Sequence, residues 1–356
     1  MSEFERKKTE RLLIEHLAKY PKAGIFDVFK FIFQSALGCE HLVTDEKKAL
    51  EFIEGEYPRV ADGLNGDFDY LDGEYRRIHL SYLNKGLSAQ TLARIFFLSA
   101  KKEEEGRANL LSKLEVFKEL VFNGGLPFSS TELGSALEEW ERAGYPPVHH
   151  TEEFRESYRP AYRVISEKYV QLLPVLTKID VLLKNGSVTV AVEGPAASGK
   201  STVAQVLKDI YNCRTVPMDH FFLQAGQRTE KRLSEVGGNI DYERFSSEVL
   251  PSIKSKGSIN YRPFDCSSMS LRDEIFLAPA SLTVVEGTYS THPAFGRYYD
   301  LSVFLDISPT IQRERILKRN SPLFAERFFK DWIPLENEYF VATEAKKRAD
   351  ILIETK

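Results

Sequence analysis

AVEGPAASGKSTVAQVL, residues 191–207, places a glycine, small residues and then Gly-Lys-Ser-Thr between two apolar runs. A tight turn would explain the glycines alone. A large anion seated against bare backbone explains the whole stretch. Glycine reaches left-handed backbone conformations at no steric cost, so successive N–H groups can converge on one point. The following segment carries Val203, Val206, Leu207 and Ile210 as one apolar stripe, which predicts a helix. Its first-turn amides and the positive end of its dipole then face the same anion. Gly194 to Ser201 fits the spacing G-x-x-x-x-G-K-[ST] in full. That pattern predicts a nucleoside triphosphate, ATP, cradled by Gly194, Pro195, Ala196, Ala197, Ser198, Gly199, Lys200, Ser201 and Thr202. Lys200 would reach the β- and γ-phosphates, and the Ser201 hydroxyl would ligate magnesium.

Outward from the loop, short apolar runs alternate with helical patterns. VTVAVEG (188–194), LTVVEG (282–287), LSVFLDIS (301–308) and ADILIE (349–354) have the length and continuous hydrophobicity of buried strands. Between them lie STVAQVLKDIY and PTIQRERILKRN, which read as helices. This grammar predicts a parallel sheet with helices on both faces, an α/β P-loop NTPase domain over residues 185–356. Asp219 follows the apolar TVP, and Glu286 follows four apolar residues, so both carboxylates are expected at strand ends. In doubly wound sheets ligands bind outside the carboxyl ends of the strands. Arg315, Lys318 and Arg319 share a helix face by spacing, with Arg315 and Arg319 as candidates to close on the nucleotide. Arg262, beside Tyr261, is a candidate for the acceptor side.

Residues 1–184 read differently, as a mainly α-helical domain preceding the α/β one. IFDVFKFIFQSAL (25–37) is apolar around most of its circumference and should be a buried helix. Ser88 is placed to cap a helix over SAQTLARIFFLSAKKEEE, with Leu92, Ile95 and Phe96 inward. NLLSKLEVFKELVF repeats that pattern, and Ser129 with Glu132 has capping-box spacing ahead of a helix ending at Gly144. A last helix is expected from Pro160 toward Leu183, broken or kinked at Pro174, with KNGS (184–187) as the domain boundary. The density of His, Arg and Tyr in PPVHHTEEFRESYRPAYRVISEKY suggests a basic polar pocket around His150, Arg159 and Arg163. The adjacent His149 and His150 do not have zinc-ligand spacing. Cys39, Glu40 and His41 in GCEHLV read as packing residues rather than a nucleophile site.

The bulk numbers restrict the classes. A chain of 356 residues exceeds the usual single-domain size. With 42% hydrophobic and 28% charged residues and a net charge of −4, it has no global pull toward nucleic acid or acidic membranes. Three widely spaced cysteines fit a reducing compartment, and no apolar run approaches membrane-span length, so a cytoplasmic protein is expected.

The motifs over residues 186–356, in their order, resemble the uridine kinase, phosphoribulokinase and nicotinamide riboside kinase group of P-loop small-molecule kinases. VPMDHFFL is similar to that group's D-x-F-[YF] strand end, which implies Asp219 as acceptor of the substrate hydroxyl's proton. GGNIDYERF and INYRPFDC resemble segments over the acceptor site, which together with VPMDHFFL implies His220, Phe222, Tyr242 and Arg262 as substrate residues. TVVEGTYS resembles the Glu-Gly strand end, implying Glu286 as a magnesium residue, and ISPTIQRERILKRN the helix that opens the lid. His220 stands where uridine kinases usually carry serine, and Asn320 with SPLFAERFFKDW replaces their usual Arg-rich lid. The resemblance therefore implies a reaction class and leaves the acceptor open. The expected activity is ATP- and magnesium-dependent phosphorylation of a small hydroxyl-bearing metabolite: a nucleoside, a ribose-like alcohol or a cofactor precursor. The expected partner is that small molecule, with no nucleic acid and no membrane; self-association as a homo-oligomer is compatible with the sequence. The rival reading is an ATP-binding switch whose helical half contacts a protein partner.

Overall fold

The computed structural model describes residues 1–39, 43, 45–60, 66–72, 74–100 and 106–355. Glu40 and His41 of the GCEHLV segment, and residues 101–105 of the helix read from Ser88, lie outside the described residues. The chain divides into two compact units, Met1–Leu173 and Pro174–Lys356.

The first unit carries helices α1 (Glu3–Lys19), α2 (Ile25–Leu37), α3 (Glu46–Glu56), α4 (Ala89–Ser99), α5 (Gly106–Phe122), α6 (Ser130–Arg142) and α7 (Glu152–Tyr158). Ser88 accepts from the Thr91 amide at the start of α4, and Ser129 with Glu132 forms a reciprocal capping box on α6. Leu92, Ile95, Phe96, Leu110, Leu114, Phe117 and Val121 are all buried, as their spacing predicts. The sequence reading missed a sheet. Strands β1 (Phe68–Tyr70), β2 (Tyr75–His79) and β3 (Tyr162–Ser166) form an antiparallel sheet in that order. β3 runs through the segment read as a helix starting at Pro160. The β-branched pair Val164-Ile165 and the aromatic Tyr162 suit a pleated surface better than a helix turn.

The division falls between Leu173 and Pro174, at the start of α8 (Leu173–Leu183) and ahead of KNGS. Leu173, Val175, Leu176 and Ile179 are buried, and the Tyr211 hydroxyl donates to the Leu176 carbonyl (3.3 Å) and Asp180 (2.9 Å). An apolar helix goes where its face is covered, whatever turn chemistry follows it.

Beyond it come β4 (Val188–Glu193), α9 (Lys200–Tyr211), β5 (Arg214–Pro217), β6 (Leu282–Glu286), β7 (Leu301–Ile307), α10 (Pro309–Arg319), α11 (Ile333–Thr343) and β8 (Ile351–Thr355). The five strands form one parallel sheet in the order β8-β7-β4-β6-β5. Every residue of β4 and β6 is buried, which is why these runs are continuously apolar instead of alternating. This is an α/β P-loop domain, and the strand order reverses around β4. Two short antiparallel pairs, Ile259–Tyr261 with Ile275–Leu277 and Phe264–Asp265 with Ser270–Leu271, stand beside it.

Candidate active site

Register places the chemistry. Glu286, last in β6, lies opposite Val192 of β4 on one side and Pro217 of β5 on the other. Gly194 opens the loop two residues past Val192, and Asp219 lies two residues past Pro217. The loop and both carboxylates therefore share the carboxyl edge of three adjacent strands, as ligand-binding crevices of such sheets require.

The loop has left-handed backbone at Gly194 (φ 146°), Ala197 (φ 62°) and Gly199 (φ 99°). A Cβ on Gly194 would stand 2.6 Å from the Leu305 carbonyl oxygen, so no other residue fits there. Ala197 holds its conformation with a Cβ, which the sequence pattern alone did not indicate. Gly199 caps α9, and Lys200, Ser201 and Thr202 form its first turn, whose amides have no intrahelical acceptor. Lys200 Nζ donates to the carbonyls of Gly194 and Pro195, each at 2.8 Å, which keeps its charge at the loop. The Ser198 hydroxyl is fully buried with no hydrogen-bond partner. A cradle of convergent amides, an ammonium and an orphaned hydroxyl fits a polyphosphate.

Ser201 Oγ donates to Glu286 Oε1 at 3.1 Å. Glu286 is buried, and that burial, reinforced by the Asp219 carboxylate and opposed by Lys200, raises its pKa above the ordinary carboxylate value. A hydroxyl and a carboxylate so joined are a hard-oxygen pair of the kind magnesium takes. Asp219 is itself exposed, on a 3-10 turn Met218–Phe221 directly after β5. A Cβ on Gly287 would meet Met218 Cβ at 2.7 Å, so that glycine lets the two strand ends approach.

The other predicted residues separate into groups. His220 Nδ1 lies 2.8 Å from the Tyr261 hydroxyl, and burial lowers its pKa against the pull of Asp219. Phe222 is half-buried, bridges to Ile240 and packs on the core beneath. Tyr242 stacks on His292 (5.4 Å, 18°), with the Arg232 guanidinium 3.6 Å over its ring. Arg262 is turned to the neighbouring hairpin, donating to the carbonyls of Arg272 (2.9 Å) and Leu271 (3.3 Å). Arg315 Nη1 donates to the Ala197 carbonyl at 3.1 Å, but Arg319 is exposed over the Phe328 ring and Lys318 is exposed. The shared charged face read from spacing is thus divided: one member grips the loop.

Sequence reasoning missed the loop's other supports. Glu336 of α11 accepts from the Ala196 amide (2.8 Å) and the Thr288 hydroxyl (3.3 Å), and Gln312 donates to the Ala196 carbonyl (3.0 Å). Glu193 accepts from the amides of Gly194, Tyr289 and Thr291 and from the Tyr339 hydroxyl. Burial raises the pKa of both glutamates. An acid closing an otherwise apolar strand was the available signal for Glu193; Glu336 has none.

No family model and no curated protein matches the chain. Among solved structures, it is similar to one described as a possible uridine kinase from Bacillus stearothermophilus. That likeness has 17% identity and a TM-score of 0.38, and covers 51% of this chain and 100% of that one. It is also similar to TT1252 from Thermus thermophilus, at 18% identity and a TM-score of 0.27, over 48% of this chain and 90% of that one. No helix among the described residues is long and apolar enough to cross a membrane.

Proposed function

We propose that the second unit is a small-molecule kinase, transferring the γ-phosphoryl group of ATP to a hydroxyl of a small metabolite with magnesium. One observation carries this reading: a phosphate-binding loop has two carboxylates beside it, on adjacent strand ends, and only one of them is bonded to the loop serine. Glu286, joined to Ser201, suits the metal, which when bound would neutralise charge on the phosphates. Asp219, exposed and unengaged by the loop, suits the acceptor. Its carboxylate takes the hydroxyl proton as the oxygen forms its bond to phosphorus and the bond to the ADP oxygen breaks. Lys200 supplies positive charge, and the loop amides orient the chain of phosphates. His220, with its ring fixed by Tyr261, stands next to Asp219 as a neutral hydrogen-bonding group toward the acceptor.

The test is ADP formation by purified protein against a panel of nucleosides, ribose-like alcohols and cofactor precursors. Acceptor-dependent ADP and a phosphorylated product are expected. ATP binding with turnover unchanged by any acceptor would favour the switch reading and sink this one.

A further inference from the structure

The Met218–Phe221 turn sets a carboxylate and an imidazole next to each other, Asp219 and then His220. Which ring nitrogen carries the proton decides what His220 can recognise. The residue is anchored at both ends. Its carbonyl accepts from Arg244 Nη2, while Arg244 Nη1 donates to the Arg262 carbonyl. Its Nδ1 lies 2.8 Å from the Tyr261 hydroxyl. Tyr261 is buried with its ring 5.1 Å from that of Phe221, and burial keeps its hydroxyl protonated. That proton needs an acceptor. His220 Nδ1 is the hydroxyl's one hydrogen-bond partner among the described residues, and Arg244 and Glu248 act on it only through their charges. The hydroxyl therefore donates to Nδ1, and the ring proton sits on Nε2. The reverse polarity would bury a hydroxyl proton with nothing to receive it, which is the costlier state. Burial, opposed by Asp219 and helped by Arg244 and Arg272, lowers the pKa of His220, so the ring is neutral near pH 7. Nε2 has no partner among the described residues, yet it is not sealed in as Arg244 Nε is. The ring is half-buried, and Asp219 beside it is exposed.

We infer that Tyr261 locks His220 as a permanent Nε2–H donor beside Asp219, and that the molecule phosphorylated carries a lone-pair oxygen near the hydroxyl that reacts. This rests on the kinase reading above and names a requirement of its acceptor. An ionised carboxylate only accepts hydrogen bonds, and the ring in this form only donates from its free edge. The pair therefore reads two groups: a hydroxyl whose proton goes to Asp219, and an ether, carbonyl or second hydroxyl oxygen that takes the Nε2–H. An ammonium in that second place has no lone pair to offer and would leave the donor unpaired. A ring free to exchange its proton between nitrogens would take either neighbour; a locked one discriminates. His220 is then a specificity-determining residue. Tyr261 and Arg244 are positioning residues that act through it.

Two measurements on the full chain test this. With isotope-labelled histidine, long-range proton–nitrogen spectra report which ring nitrogen is protonated, and the signals lost in His220→Gln assign that residue among the seven histidines. The parent should show the Nε2–H form. Tyr261→Phe, which keeps the ring against Phe221 and removes only the hydroxyl, should show both forms in exchange. An Nδ1–H form in the parent overturns the inference whatever the activity. The second measurement is steady-state kinetics with ATP and uridine, adenosine or ribitol as the acceptor. His220→Leu should raise the acceptor KM roughly three- to tenfold, the worth of one hydrogen bond, with kcat and the ATP KM nearly unchanged. His220→Gln, whose amide donates, should recover most of that loss. Should His220→Leu fail to fold, Tyr261→Phe carries the kinetic arm, with a smaller rise in acceptor KM. An acceptor KM equal to the parent's in the folded variant overturns the inference and leaves the kinase reading standing, because turnover persists. No turnover of any of the three acceptors by the parent removes the kinase reading instead, and this inference with it.

Discussion

Asp219 and Glu286 are both carboxylates at strand ends, and their surroundings assign them different work. Asp219→Asn keeps shape and removes basicity. The transfer rate should fall roughly 10²–10⁴-fold with ATP affinity retained, since the loop holds the phosphates. Glu286→Gln should raise the magnesium concentration needed for half-maximal rate, because the Ser201 partner loses its charge. A further consequence links them. Asp219 is one cause of the raised Glu286 pKa, so Asp219→Asn should let Glu286 ionise at lower pH. Residual activity of that variant should therefore keep its magnesium affinity into more acidic solution than the parent does. An unchanged rate in Asp219→Asn would make Asp219 a turn residue. Lys200→Ala should abolish turnover without altering the unfolding midpoint, since Lys200 bonds only to loop carbonyls. At this scale the sequence was legible where a motif fixes spacing, as at 194–201. It named Arg319 as a candidate to close on the nucleotide but gave no sign of its ring contact with Phe328, which depends on a helix that no local pattern announces.

Among elements, the strands were the most readable, because burial on both faces leaves unbroken apolar runs such as VTVAVE. β3 was not readable, since in Tyr162–Ser166 two adjacent apolar residues are buried between half-buried polar ones, which leaves no alternation to read. Nor was the support that α11 gives the loop. Glu336 is buried with the Ala196 amide as its partner, and Tyr339, one turn on, donates to Glu193 at the end of β4. Glu336→Ala leaves a buried amide unpaired and should cost about 1–3 kcal/mol. The loss should appear in chemical unfolding followed at Trp332, which immediately precedes α11. A stability equal to that of the parent would mean that Ala196 finds water or another acceptor. Ahead of the sheet, α8 belongs with the second unit. A chain starting at residue 184 should therefore unfold at lower denaturant than one starting at 172, because the shorter chain strips the Tyr211 hydroxyl of both acceptors.

For the molecule as a whole, the two units differ in how they respond to acid. In the first, His16 and His150 have pKa values depressed by burial, His150 to about 4. A depressed histidine contributes stability that is present above its unfolded value near 6.5 and lost as pH falls toward the folded value. Asp27 is lowered by its hydrogen bonds from His150, Thr151 and Gly24, and Asp69 by His79, Arg77 and Lys19, each against its burial, so their contribution also disappears on acidification, at still lower pH. All these groups act in one direction. In the second unit Glu193, Glu286 and Glu336 are raised by burial, so their contribution is full below about 4.5 and lost as pH rises. His220 and His292 are lowered and oppose them. Between pH 6.5 and 4.5 the first unit should therefore lose stability steadily while the second changes little. The chain has two tryptophans, Trp140 in α6 and Trp332 ahead of α11, so each unit carries its own reporter. With Trp332→Phe the remaining signal follows the first unit, and with Trp140→Phe the second. The Trp140 midpoint should move down by more than the Trp332 midpoint as pH drops through this window. Replacing His150 by Gln should flatten the Trp140 dependence, because glutamine holds the amide-like hydrogen bonding to Asp27 and Tyr162 without titrating. Parallel shifts of the two midpoints would show that the histidines of the first unit are not held neutral by their burial.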